Sequence, residues 1–171
     1  MSIQIAEIIE TANRMVADIG TRDPYKMARE LGINIIPMNF KRQRGAYKVT
    51  MRNRFIFISQ NLHPVMENIV MLHEIGHDTF HRNEAVKAGV FKEFSIFDMR
   101  ESRMEYEANI FTAQVSLDDD EILEYIARGY DVQQIARAMY SDINLVALKA
   151  DALMLQGYNL RPQEYRKEFL K

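Results

Sequence analysis

The feature that most constrains this chain is the run H-E-I-G-H at positions 73–77, which lies in a stretch that begins at Pro64. Proline suits the first turn of a helix, because the N–H that it lacks would have no partner there. Apolar side chains then recur at helical spacing, at Val65, Ile69, Leu72 and Ile75. We therefore predict a helix that carries the motif and buries one face.

The two histidines of this motif stand four positions apart, so on a helix they share one face. His73 and His77 can then direct their imidazoles at a single ion. Glu74 is rotated off the histidine axis, where it can accept a proton from water at the metal without binding the metal. Gly76 costs about 1 kcal/mol relative to alanine inside a helix, which predicts a close approach by another backbone or by substrate. The motif predicts half of a catalytic zinc site with Glu74 as general base.

A catalytic zinc ion takes three protein ligands and leaves one position to water, so a further ligand is needed. The chain contains no cysteine. His81 is close in sequence, but on the same helix it would lie about 12 Å from His73, too far for both to bind one ion. The third ligand must therefore come from another element.

A second helix is predicted over residues 101–115, where Met104, Ala108, Phe111 and Val115 form an apolar stripe. Glu105 and Asn109 lie four positions apart on one face of it. We predict that Glu105 binds the metal and that Asn109 supports a ligating histidine through a hydrogen bond. Glu107 points roughly 200° away from Glu105, so only one of the two can face the metal.

These segments resemble the ImmA/IrrE family of metallopeptidases. The resemblance rests on the motif at 73–77, on Phe80 and His81 after it, on E-Y-E-A-N-I-F at 105–111, on an upstream block at 23–35 and on the strand at 55–58. It implies a small thermolysin-like zincin core that acts inside a bacterial cell. It also implies cleavage of a helix-turn-helix repressor of the phage or mobile-element type, which relieves repression.

By matching positions, the resemblance assigns His73, His77 and Glu105 as ligands of one Zn²⁺ per chain and Glu74 as the catalytic residue. Attack of water on the scissile carbonyl group produces an oxyanion, and a hydrogen-bond donor to this oxyanion is expected in addition to the metal. Tyr106 and His81 are the candidates for this donor, or for a substrate contact, because they are near the motif residues in sequence.

The remaining patterns predict an α+β fold. Helices are expected at residues 3–18, before Gly20, and from Asp23 to Gly32. Strands are expected at 33–38, 45–49 and 54–59, which form a short twisted three-stranded sheet packed on helices. Pro37 confines the first strand to a sheet edge or to a strand end.

Residues 82–100 show no clear period and are interpreted as a loop with a short strand or turn. Phe91, Phe94 and Phe97 lie in this stretch. They could form a pocket for a substrate side chain, although packing beneath a long loop is the simpler interpretation.

The chain is divided into a zincin-like core at 1–117 and a helical extension at 118–171, packed together as one domain. Residues 131–153 resemble a helix-turn-helix unit that splits near Tyr140. Its second helix offers Asn144 and Lys149 as polar contacts but no basic face, which argues against direct DNA binding. The extension is expected to dock on the core or to hold the repressor.

Composition restricts the expected number of domains, the partners and the cellular location of the protein. The 171 residues favour one domain, and the formal net charge of −2 gives no global field that would recruit nucleic acid. The basic cluster at 41–44 is interpreted as a solvated loop, with an acidic or nucleic-acid contact as the alternative. No apolar run is long enough for a membrane span and no signal peptide is evident, so we expect a cytoplasmic protein without a membrane partner.

Two other functions stay open. The protein could be a zinc-containing regulator that binds a repressor without cleaving it, although such a module has no need of Glu74. It could also be a DNA-binding regulator with a degenerate peptidase core, which the net charge disfavours. Zinc is inferred from the ligand types, and manganese or another divalent ion is a further possibility.

Overall fold

The computed structural model of the protein describes residues 4–93 and 102–160. Within them the elements follow in the order α1 (Ile5–Ile19), α2 (Pro24–Glu30), β1 (Asn34–Met38), β2 (Gly45–Thr50), β3 (Asn53–Ser59), α3 (Pro64–Phe80), α4 (Arg82–Ala88), β4 (Phe91–Glu93), α5 (Arg103–Ser116), α6 (Asp119–Ala127), α7 (Val132–Ala138) and α8 (Ile143–Leu155). The predicted α+β class is confirmed. None of the described helices is both long and apolar enough to cross a membrane.

Local signals set the ends of the first helices where the sequence predicted them. Gly20 closes α1 in the left-handed conformation with φ 75°, which glycine adopts without steric cost. The Asp23 side chain accepts hydrogen bonds from the backbone N–H groups of Tyr25 and Lys26, and Pro24 occupies the first turn of α2. These residues end α1 and begin α2.

The sheet has four strands in the order β1-β3-β2-β4. Strand β1 runs parallel to β3, and β2 is antiparallel to both β3 and β4. Strand β1, which carries Pro37, is at an edge, as predicted. The predicted number of three strands is wrong, because β4 adds a fourth at the other edge through the pairs from Gly45↔Glu93 to Tyr47↔Phe91.

The stretch after the motif also contains a helix that we did not predict. Helix α4 has only Ala85 buried, so it shows no apolar period by which a helix could be recognised. Of the three phenylalanines noted in the sequence, Phe91 lies in β4, while Phe94 and Phe97 lie outside the described residues.

Helix α3 lies between the sheet and α5, and every residue from Ile69 to Asp78 is buried. The approach of α5 is close at Gly76: a Cβ atom there would lie 3.2 Å from the Cα atom of Ala108 and 3.2 Å from Cδ1 of Phe111. The close backbone approach predicted from Gly76 is thus present. It brings the motif face of α3 against α5.

Helices α6 to α8 contribute side chains to the same hydrophobic cluster as α1 to α5, and Leu145, Val146 and Leu153 are almost fully buried. The division of the chain at residue 117 stays a prediction. Helix α8 packs against α5. Lys149 is 0% exposed and donates hydrogen bonds to Gln114 and Asp119. The suggestion that Lys149 offers a contact to DNA is therefore wrong.

Asp78, next to the motif, joins four elements. Its carboxylate is 2% exposed and accepts hydrogen bonds from the Tyr47 hydroxyl at 2.6 Å, from Arg54 at 2.8 Å and from Arg82 at 2.9 Å. Arg54 also donates to the backbone carbonyl of Leu31 at the end of α2. The pKa of Tyr47 is raised, mainly by burial and secondly by its hydrogen bond to Asp78. This network fixes α3 against β2, β3 and α4.

We expect Asp78→Ala to lower the free energy of unfolding by about 3 kcal/mol or more, because it leaves partly buried arginines and a buried hydroxyl without their acceptor. Urea unfolding followed by circular dichroism measures this. Glu84→Ala on the exposed surface of α4 is the matched control, with an expected change within about 0.5 kcal/mol. Similar midpoints for the two variants would contradict the role given to Asp78.

Candidate metal centre

Three predicted ligand side chains converge where α3 meets the start of α5. The Nε2 atom of His73 lies 3.0 Å from Nε2 of His77 and 3.0 Å from Oε2 of Glu105. The third distance, from Nε2 of His77 to Oε2 of Glu105, is 3.4 Å. Ser102 caps α5 by accepting a hydrogen bond from the Glu105 N–H at 3.2 Å, which fixes the first turn of this helix.

The spacing of these atoms fits a tetrahedral metal ion. Bonds of about 2.0 to 2.1 Å to zinc place neighbouring ligand atoms about 3.3 Å apart. The three observed distances, 3.0, 3.0 and 3.4 Å, lie close to that value. Both histidine side chains are almost fully buried, whereas that of Glu105 is 23% exposed. Solvent therefore reaches the centre from the side of Glu105.

The charges at the centre suit a cation. Burial lowers the pKa of His77 to about 4, although its hydrogen bond with Glu105 acts in the opposite direction. Burial alone would raise the pKa of Glu105, but the hydrogen bonds with His73 and His77 outweigh it and hold this pKa far below its usual value. A neutral imidazole and an ionised carboxylate are the forms that bind metal.

Asn109 lies where the sequence predicted it. Its Oδ1 atom is 2.9 Å from Nδ1 of His73, and both residues are fully buried. Because Nε2 of His73 faces the other ligand atoms and must present a lone pair to a metal, its proton belongs on Nδ1, which then donates to Asn109. This hydrogen bond orients the His73 ring.

His77 has a different partner on its outer side. Its Nδ1 atom lies 3.0 Å from Nδ1 of His81, and Nε2 of His81 lies 3.0 Å from Oε2 of Glu107. Arg103 donates from Nε to the other oxygen of Glu107 at 2.7 Å. Burial acts to raise the pKa of Glu107, but the hydrogen bonds from His81 and Arg103 lower it overall. Glu107 thus faces away from the three convergent ligand atoms.

The two candidates for an oxyanion donor or substrate contact lie elsewhere. His81 is 3% exposed and sits behind His77, with both ring nitrogens engaged, so its position does not support a substrate contact. Tyr106 packs, half-buried, against the core, and its pKa is raised by burial and by the nearby charge of Asp151 on α8. The assignment of either residue as an oxyanion donor or a substrate contact stays a prediction.

Glu74 is 1% exposed and is backed by the first residue of β2. A Cβ atom on Gly45 would lie 2.6 Å from Oε1 of Glu74 and 2.6 Å from Cγ1 of Val70, closer than real contacts allow. From the sequence, Gly45 was predicted only as the start of a strand. A glycine inside a strand pattern does, however, signal close approach by another group. Glycine at this position leaves the space that the Glu74 carboxylate occupies.

Comparison with known proteins adds two findings. A family model described as the IrrE N-terminal-like domain, of a peptidase family, matches residues 28–147. The chain is also similar to "Uncharacterized immunity region protein 2" of Bacillus phage phi105. The two are 31% identical over 124 residues, which is 72% of this chain and 76% of the phage protein.

We expect metal-depleted protein to take up about one zinc ion per chain in isothermal titration calorimetry, since the centre offers one set of three ligands. Glu105→Ala removes the only carboxylate of that set and should abolish stoichiometric uptake at micromolar metal. Glu121→Ala, an exposed carboxylate on α6, is the matched control and should bind like the parent protein. Equal uptake by both variants would exclude Glu105 as a ligand.

Proposed function

The chain belongs to the IrrE N-terminal-like family of peptidases, and on this premise we propose that it is a zinc-dependent endopeptidase that cleaves one specific protein substrate. The observation that carries this proposal is the convergence of His73, His77 and Glu105 within 4.8 Å of one another. Glu74 directly follows one of these ligands in α3. A metal site built for stability alone would not require this buried carboxylate beside it.

In peptide-bond hydrolysis, different residues of the site have different roles. A zinc ion, when bound, polarises a carbonyl group and lowers the pKa of water toward about 7. His73, His77 and Glu105 would hold the ion, and the partly exposed side chain of Glu105 gives solvent access to it. Glu74 takes a proton from the attacking water and returns it to the leaving amine. The water oxygen forms a bond to the carbonyl carbon, and the bond from this carbon to nitrogen breaks.

An extended substrate can bind along the sheet edge next to this centre. Strand β4 pairs with β2 from Gly45 onward, and Gly45 itself abuts Glu74. The ring centroid of Phe91 in β4 lies 5.0 Å from that of His77. Among the described strands, none pairs with the outer edge of β4. A peptide that adds to this edge as a further strand would lie next to β4, the strand whose Phe91 ring contacts His77.

We further propose that the substrate is a helix-turn-helix repressor of a phage or mobile element and that the reaction takes place in the bacterial cytoplasm. The similarity to a protein named for a phage immunity region supports this choice. Direct DNA binding is disfavoured, because α8, the would-be recognition helix, buries Leu145, Leu148 and Lys149 against the rest of the protein.

Glu74→Gln keeps the shape of the side chain but cannot accept the proton, so we expect cleavage to fall by orders of magnitude while zinc uptake stays near one ion per chain. The assay incubates zinc-loaded protein with a peptide library and with a helix-turn-helix repressor from the same mobile element, and mass spectrometry detects new termini. Glu67→Gln on the first turn of α3 is the matched control. Parent protein that binds zinc and repressor but cuts neither sample would instead support the regulator without protease activity.

Gly45→Ala should lower the cleavage rate at saturating substrate by about tenfold or more, because its methyl group displaces the Glu74 carboxylate from its position. A second variant separates this effect from general packing. Gly45→Ala with Val70→Ala removes the clash with Val70 but keeps the clash with Glu74. Activity should therefore stay low in the double variant. Recovery to the parent rate would show that only packing against Val70 was disturbed.

A further inference from the structure

A chain of hydrogen bonds leads from the candidate metal centre to the protein surface. It begins at Nδ1 of His77, crosses the ring of His81 and the carboxylate of Glu107, and ends at Arg103, with successive distances of 3.0, 3.0 and 2.7 Å. His81 and Glu107 are 3% and 5% exposed, whereas the side chain of Arg103 is 61% exposed. Only the last member of the chain is in broad contact with solvent.

The direction of every hydrogen bond in this chain follows from its inner end. To bind a metal, His77 must present a lone pair on Nε2. Its proton is then on Nδ1, which donates a hydrogen bond to Nδ1 of His81. His81 then carries its own proton on Nε2 and donates to Oε2 of Glu107. The second oxygen of Glu107 accepts from Arg103. Each donor in the chain therefore meets one acceptor.

The two ligand histidines are supported unequally. His73 donates to the amide oxygen of Asn109, whereas His81, which lies behind His77, donates to the carboxylate of Glu107. A carboxylate that accepts from one side of an imidazole increases the electron density at the opposite nitrogen, and hydrogen bonds in such chains strengthen one another. His81 thus becomes a stronger acceptor for His77, and His77 a stronger donor to a metal ion.

The chain also connects the two helices that carry the ligands. His81 lies at the junction of α3 and α4, and Arg103 and Glu107 lie on the first two turns of α5. The bond from His81 to Glu107 therefore joins α3 to α5, as the bond from His73 to Asn109 does at a second point. Two such bonds limit rotation of one ligand helix against the other.

We propose that His81, Glu107 and Arg103 act as a positioning relay that fixes the ring and tautomer of His77 and thereby sets the affinity of the centre for its metal. This inference rests on the proposed metal-dependent function. It assigns a role to His81 and Glu107, which lie behind His77 and not among the three convergent ligand atoms.

The test measures the zinc affinity of metal-depleted protein by competition with a chromophoric chelator. His81→Ala should weaken zinc binding by about 10-fold to 100-fold, with the stoichiometry unchanged. Glu107→Gln keeps the size of the side chain and an acceptor oxygen but removes the charge, so we expect a smaller loss. Glu121→Gln makes the same chemical change on the exposed surface of α6 and should bind zinc like the parent protein.

Two further readouts separate a relay from a packing role. The visible absorption bands of cobalt-substituted protein should shift in His81→Ala and in Glu107→Gln, because the donor strength of His77 changes, but not in Glu121→Gln. Combining His81→Ala with Glu107→Gln should weaken zinc binding no more than His81→Ala alone, since Glu107 acts on the metal only through His81. Additive losses would mean that the two residues act separately and would overturn the relay.

The outcomes also distinguish this inference from the proposed function. Suppose that the parent protein binds zinc and cleaves substrate, and that Glu107→Gln keeps the parent zinc affinity and cobalt spectrum. This result would overturn the relay but would still support the proposed peptidase activity. Parent protein that binds no divalent metal would overturn both. A thermal unfolding transition shows whether metal-free His81→Ala is folded. If it is not, the zinc affinity and cobalt spectrum of Glu107→Gln provide the test.

Discussion

The close packing of α3 against α5 is the contact on which the candidate site depends. Gly76 allows the backbones to approach until a Cβ atom at this position would lie 3.2 Å from the Cα atom of Ala108. Two ligands come from α3 and the third from α5, so the separation of these helices sets the distances between the ligand atoms. A wider separation would move Glu105 away from the histidines. The energetic cost of glycine inside a helix is offset by the geometry that it permits.

Burying so many polar groups between these helices requires partners for them. His73, His77, Asp78, His81, Glu107 and Asn109 are all nearly inaccessible to solvent. Their hydrogen-bond partners lie on two sides of α3. Asp78 meets Tyr47 and two arginines on the side of the sheet, while the histidines meet Glu105, Glu107 and Asn109 on α5. Because a buried polar group without a partner destabilises the fold, these hydrogen bonds serve both stability and the alignment of the site.

The sequence was informative where a periodic helix determined the geometry. The pairs His73 and His77, and Glu105 and Asn109, follow from spacing within one helix, and the structure brings all four together. Contacts of residues outside the predicted ligand set were not predicted. His81 and Glu107 are 26 residues apart and meet only because two helices pack. The contact of Gly45 with Glu74 depends in the same way on the docking of β2 against α3. Strand β4 was predicted only as a short strand or turn within a loop, because three residues give too short a pattern to assign it to the sheet, which it joins by pairing with β2.

Helix α8 extends beyond the segment that the family match covers. The family match stops at residue 147, inside this helix, although Leu148, Lys149 and Leu153 beyond that point are buried. The match also begins at residue 28, after α1, which packs on α5 with Ile8 and Ala12 fully buried. A protein trimmed to the matched residues would lack α1 and the second half of α8, so apolar side chains that pack on α5 would be lost and apolar surface of α5 would be exposed to water. Exposed apolar surface promotes aggregation. The smallest stable unit of this protein is therefore larger than the segment by which its family is recognised.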